Sequence, residues 1–95
     1  MLSNFKGQSY RLCDNWLTVI PQTNNPINYL EIGTFYGANL ISVAKTYAAH
    51  KDSKLYCIDP WEDYDAYTEY KGQQPNIYNT FLENIKENDL TEKQQ

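Results

Sequence analysis

The sixteen residues from Tyr29 to Ala44, YLEIGTFYGANLISVA, constrain the fold more than any other part of this chain. A short apolar run ends at Glu31-Ile-Gly33, and a second glycine, Gly37, follows after Thr34, Phe35 and Tyr36. Beyond it Leu40, Val43, Ala44, Tyr47 and Ala48 recur at i, i+3, i+4, i+7 and i+8, which predicts a one-sided helix from Ala38 to about His50. A strand that turns through glycine into a helix is the start of a crossover, and a crossover helix returns the chain to pair the next strand in parallel.

The neighbouring segments fit that order. Tyr10, Cys13, Trp16, Leu17 and Ile20 mark one face of a first helix from Ser9 to Ile20, with Ser9 as N-cap and Pro21 as stop. Residues 21–26 carry two prolines and two asparagines and read as a loop, and Ile27–Ile32 as the first strand. His50–Ser53 is polar and closes the second helix. Leu55–Ile58 is the second strand, ended by Asp59-Pro60. A loop, WEDYDAYTEYKGQQP, leads to a third helix starting near Pro75 or Asn76, whose expected inward residues are Tyr78, Phe81, Leu82 and Ile85. The polar stretch Asp89–Gln95 is expected to fray.

The expected fold class is therefore α/β: helix, strand, helix, strand, helix, with parallel strands. Complete doubly wound sheets use about five or more strands. Residues 1–95 read as one unit, the N-terminal half of such a domain, ending where a third strand should begin. An open sheet edge is expected to be available for oligomeric contact.

Composition narrows the function classes. Hydrophobic residues make up 41% and charged residues 21%, which places the chain among globular domains rather than disordered ones. The net charge of −4, without a basic block, argues against a surface that tracks nucleic-acid phosphates. The N-terminal residues lack the pattern of a signal peptide, and no apolar run approaches the ~20 residues of a membrane span. Cys13 and Cys57, 44 residues apart and without metal-ligand spacing, read as two buried reduced thiols, and a cytoplasmic setting is expected.

The spacing of the turn selects its ligand. Dinucleotide sites use G-x-G-x-x-G, with a middle glycine that lets pyrophosphate approach. Here that position is Phe35, and the Lys-Ser/Thr pair of a phosphate loop is replaced by Ala38-Asn39. Glu31, two residues before Gly33, repels phosphate and attracts an ammonium group. The preferred ligand is a nucleoside with a cationic, amino-acid-like arm. Asp59, 26 residues after Gly33, stands near the ~20-residue interval expected for a ribose-binding acid.

These residues resemble class I S-adenosylmethionine-dependent methyltransferases, with their Rossmann-like fold. LEIGTFYGAN is most similar to small-molecule O-methyltransferases of the catechol and caffeoyl-CoA type and to the macrocin-type group. The resemblance implies S-adenosyl-L-methionine as cofactor and a small-molecule methyl acceptor. It implies that Glu31, Gly33, Thr34 and Gly37 line the methionine-side pocket, that Phe35 covers the cofactor, and that Asn39 binds the methionine carboxylate. It gives Asp59 the ribose hydroxyls and Trp61 the border of the adenine. The family's adenine-contacting acid after strand three and its catalytic region after strand four have no counterpart here, so no catalytic residue is assigned.

Plainer readings stand beside these. The glycines fit a purely structural turn, Asp-Pro is a common strand terminator, and Trp61 is more often a core or loop anchor than an adenine neighbour. Glu62, Asp63 and Asp65 read as a solvated acidic loop rather than a metal site, Tyr64, Tyr67 and Tyr70 as a packed loop face, and His50 as a helix-end residue. Two other functions remain: a non-catalytic remnant or interaction module, and an NAD-binding enzyme of Rossmann type.

Overall fold

A computed structural model describes residues 5–7, 12–61 and 72–95. Ser9, Tyr10 and the loop residues Glu62, Asp63, Tyr64, Asp65, Tyr67 and Tyr70 lie outside the described residues. The elements are a 3-10 helix at Cys13–Thr18, β1 at Asn28–Ile32, α1 at Ala38–Ala44, β2 at Lys54–Ile58 and α2 at Gln74–Glu87. The two strands pair in parallel, with Asn28 opposite Lys54 and Ile32 opposite Ile58. This is a small α/β domain with flanking helices, Rossmann-like in outline.

Alternation along the strands divides the sheet into two unlike faces. Tyr29, Glu31, Leu55 and Cys57 turn toward the core, where Leu40, Ile41, Val43, Ala44, Phe81 and Ile85 are buried with Leu55. Leu30, Ile32, Tyr56 and Ile58 lie on the other face and are exposed. The strands are apolar on both sides, as parallel strands usually are, but only one side is covered by the described residues.

The helical stripe of α1 is buried throughout, yet regular α-helix stops at Ala44 rather than near His50. The amide of Thr46 bonds Val43 O at 3.1 Å and that of Ala48 bonds the same carbonyl at 2.9 Å, replacing the i−4 ladder by i−3 and i−5 bonds. Tyr47 and Ala48 remain in the core through these turns. The first helix shortens too. Only six residues form the 3-10 helix, the Cys13 amide bonds Ser42 Oγ at 3.1 Å, and Ile20 is exposed instead of buried.

α2 begins at Gln74 with proline in its first turn, where a missing N–H costs nothing. Its buried face is Gln74, Ile77, Phe81, Asn84 and Ile85. Tyr78 and Leu82, expected inside, are 40% and 42% exposed, while Ile77 and two polar residues take the inner positions. The rotation follows from Asn84, whose buried hydrogen bonds favour a face that hydrophobicity alone does not pick.

The tail does not fray. Leu90 is buried, the Leu55 amide bonds Lys93 O at 2.9 Å, and the Gln95 amide bonds Leu55 O at 2.7 Å. Gln94 thereby bridges Leu55 in parallel on the edge of β2 away from β1. Lys93 Nζ donates to Ala48 O at 2.6 Å and His50 O at 3.0 Å, fastening the tail to the end of the α1 segment. An apolar Leu90 and one lysine anchor a stretch whose polarity suggested none.

Candidate functional site

The C-terminal ends of β1 and β2 lie side by side, and the turn 33–37 and the Asp59–Trp61 segment leave from them together. The Gly33 amide continues the sheet by bonding Ile58 O at 2.8 Å. Gly33, Phe35, Gly37 and Trp61 all have positive φ, at 81°, 56°, 94° and 50°. Two of these are bulky aromatic residues, for which left-handed backbone costs about 1–2 kcal/mol each.

Asp59 compensates that strain. Its Oδ2 accepts the Phe35 amide at 2.8 Å and its Oδ1 accepts the Trp61 amide at 2.8 Å. The indole Nε1 of Trp61 returns to Phe35 O at 3.0 Å. One carboxylate and one indole thus lock the two strand-end loops together. The Trp61 ring lies 4.8 Å from Tyr78 and 5.1 Å from Phe81 between centroids, so Trp61 is an anchor onto α2. Asp59, Pro60, Trp61, Pro75 and Tyr78 line a shallow cleft of about 380 Å³ beside this junction.

Glu31 lies on the covered face, below the turn, and is 8% exposed. Its Oε2 accepts Asn39 Nδ2 at 2.8 Å and the Tyr29 hydroxyl at 2.9 Å. Asn39 Nδ2 also reaches the Tyr29 oxygen at 3.3 Å. All these partners are neutral, and among the described residues the ion pairs are Lys6–Glu83 and His50–Asp52, so no described cation pairs with Glu31. Burial pushes its carboxyl above the ordinary carboxylate range, against the opposing pull of the Asn39 and Tyr29 hydrogen bonds. The same burial, with Glu31 beside it, raises the Tyr29 phenol.

The remaining expected site residues divide. Gly33 is exposed, and a methyl group built on it would meet no atom within 4 Å, so a ligand has room against bare backbone. Gly37 is buried, and a Cβ there would stand 2.8 Å from the Phe81 ring; its smallness serves helix packing. Phe35 packs against Tyr36 at 4.5 Å between centroids. Thr34 is buried with no partner for Oγ1 at bonding geometry, although the hydroxyl lies near enough to the Cys57 thiol to act on it.

The structure therefore places Gly33, Phe35, Asp59 and Trp61 around one junction, and Glu31 and Asn39 in a polar cluster beneath it. Tyr29 belongs to that cluster too: two residues before Glu31 on a strand, it shares the acid's face, and that period-2 spacing is its sequence signal. Asn84 contacts the turn from α2 and carries no sequence signal at all. Among the described residues, no three His, Cys, Asp or Glu side chains are grouped to hold a metal ion. No described helix is long and apolar enough to cross a membrane.

No protein-family model matches this chain, and no curated protein and no solved structure matches it. What the site does has to be read from its own residues.

Proposed function

We propose that this chain is the cofactor-binding portion of an S-adenosylmethionine-dependent methyltransferase acting on a small-molecule acceptor. The observation that carries the reading is Glu31: a buried carboxylate whose donors among the described residues are all neutral, at the C-terminal end of a strand that enters a glycine turn. An isolated buried charge is costly unless something pairs with it. An α-ammonium group arriving from solvent supplies that pairing, whereas a diphosphate adds a second negative charge. Phe35, where the middle glycine of a dinucleotide turn would stand, adds a steric objection to an NAD-type ligand.

The residues present fit such a cofactor in three places. Glu31 would hold the ammonium, and Asn39 would release the hydrogen it shares with Tyr29 to the carboxylate. Gly33 offers open backbone at the turn, with Phe35 as its cover. Each oxygen of Asp59 accepts one amide and keeps a lone pair for a ribose hydroxyl, and Trp61 walls the cleft beside it. When bound, the cofactor supplies an electrophilic methyl group on a sulfonium centre. The contribution of these residues is to hold and orient it, since positioning provides much of the acceleration of a displacement reaction.

Calorimetry with S-adenosylhomocysteine tests the reading. Micromolar binding that is lost in Asp59→Ala, with the variant's fold checked by circular dichroism, supports it. Absence of binding by folded wild-type protein, or tight binding of NADH instead, refutes it. A non-catalytic interaction module remains the second reading, favoured by the exposed apolar sheet face of Leu30, Ile32, Tyr56 and Ile58.

A further inference from the structure

We infer that Asn84, on α2, is a positioning residue for the glycine turn, tying it to the N-terminal segment at Phe5–Gly7 so that the two move as one unit. The inference rests on the reading of the turn as the ligand-binding element, but its geometry is independent of which ligand binds.

Asn84 is wholly buried in a helix face that is otherwise mostly apolar, and its amide is used in full. Its Oδ1 accepts the Lys6 amide at 2.8 Å while its Nδ2 donates to Lys6 O at 2.8 Å. This is the pairing a neighbouring strand would make, supplied by one side chain. The same Nδ2 donates to Tyr36 O at 3.1 Å. One amide group thus satisfies three backbone groups from segments 30 residues apart in sequence, Lys6 and Tyr36.

Two further contacts join the same partners. Gly7, with φ of 96°, lies flat against the Tyr36 ring, where a Cβ would fall 2.5 Å from Cδ1. Lys6 Nζ pairs with Glu83, the residue before Asn84. The opposite side of the turn is held by Asp59 and Trp61 at Phe35. The turn is therefore tethered at consecutive residues from two directions: residue 35 from β2, residue 36 from α2. The Tyr36–Gly37 peptide leads directly into α1, so a displaced Asn84 shifts the entry of that helix and with it Asn39.

A purely structural role would make Asn84 a stabiliser of α2 and nothing more. Two variants separate the possibilities in the full chain. Asn84→Leu keeps the branched heavy-atom shape and removes all three hydrogen bonds. Gly7→Ala disturbs the Tyr36 stack without touching α2. The measurements are amide hydrogen exchange and S-adenosylhomocysteine affinity.

A positioning role predicts faster exchange at residues 35–38 in both variants, with the Leu55 and Ile85 amides unchanged. It predicts affinity about fivefold to tenfold weaker in each variant, as the loss of buried hydrogen bonds allows. The double variant should lose much less than the product of the two single losses, because the residues serve one device. Uniform acceleration across α2 and β2, unchanged exchange at 35–38, or multiplicative losses would overturn the inference. If wild-type protein binds no S-adenosylhomocysteine, the proposed function fails, and the exchange pattern alone still decides whether Asn84 positions the turn.

Discussion

Gly33→Ala and Gly37→Ala make a matched pair that weighs the two roles of glycine in one turn. Both positions have positive φ, so a methyl group costs about 1–2 kcal/mol of backbone strain at each. Loss of unfolded-state freedom offsets about 0.4–1 kcal/mol of that. At Gly33 nothing lies within 4 Å of the added methyl, and the net cost is about 1 kcal/mol or less. At Gly37 the methyl would stand 2.8 Å and 3.2 Å from two ring atoms of Phe81, itself buried at the centre of the core. Forcing that ring aside adds about 1–3 kcal/mol, as overpacked cores do. Against a total of roughly 5–14 kcal/mol for a domain of this length, the expected Gly37→Ala loss of about 2–4 kcal/mol is large. Thermal unfolding at matched pH should show a Tm about 4 °C or more below that of Gly33→Ala, since ~1 kcal/mol moves a domain this small by about 4–8 °C. Equal losses in the two variants would refute the claim that Gly37 exists to let α1 approach Phe81.

Other outcomes follow from the same structure. Glu31→Gln should stabilise the protein at neutral pH. The wild-type carboxyl binds its proton more readily folded than unfolded, so wild-type stability falls as pH rises from the ordinary carboxylate range through the raised folded value; the variant's urea-unfolding free energy should lack that decline. Leu90→Ala should cost about 2–4 kcal/mol and expose the Leu55 amide to exchange, whereas a frayed tail would give a cost near zero. Burial raises the Cys57 thiol, so its alkylation should be slower than that of an unstructured cysteine at pH 8, with mass spectrometry at matched times as the check.

The order of elements was legible because periodicity carries it. Short apolar runs marked both strands, and the stripe from Leu40 to Ala48 marked the buried side of α1 even where regular helix gave way to tighter turns. The parts not legible depend on polar contacts between distant residues. Asn84 turns α2 by about one position, because three backbone groups favour an amide where an apolar count favours Tyr78 and Leu82. The tail is held by Lys93 on carbonyls at the end of the α1 segment, a contact that no local pattern announces. In the site, the adjacency of the two strand ends that carry the glycine turn and Asp59 was readable from the order of elements. The use of Asp59 as the clamp on Phe35 was not, because it follows from an aromatic residue holding left-handed backbone.

The central claim is that Glu31 is a ligand-binding acid held at a cost to stability. It is tested most directly by titrating S-adenosylhomocysteine calorimetrically into wild-type protein and Glu31→Gln at neutral pH. The account predicts micromolar binding by wild-type protein and at least about tenfold weaker binding by the variant, corresponding to ~1.4 kcal/mol, although the variant is the more stable protein. Equal affinity in the two, or no binding by either while both are folded, would contradict it.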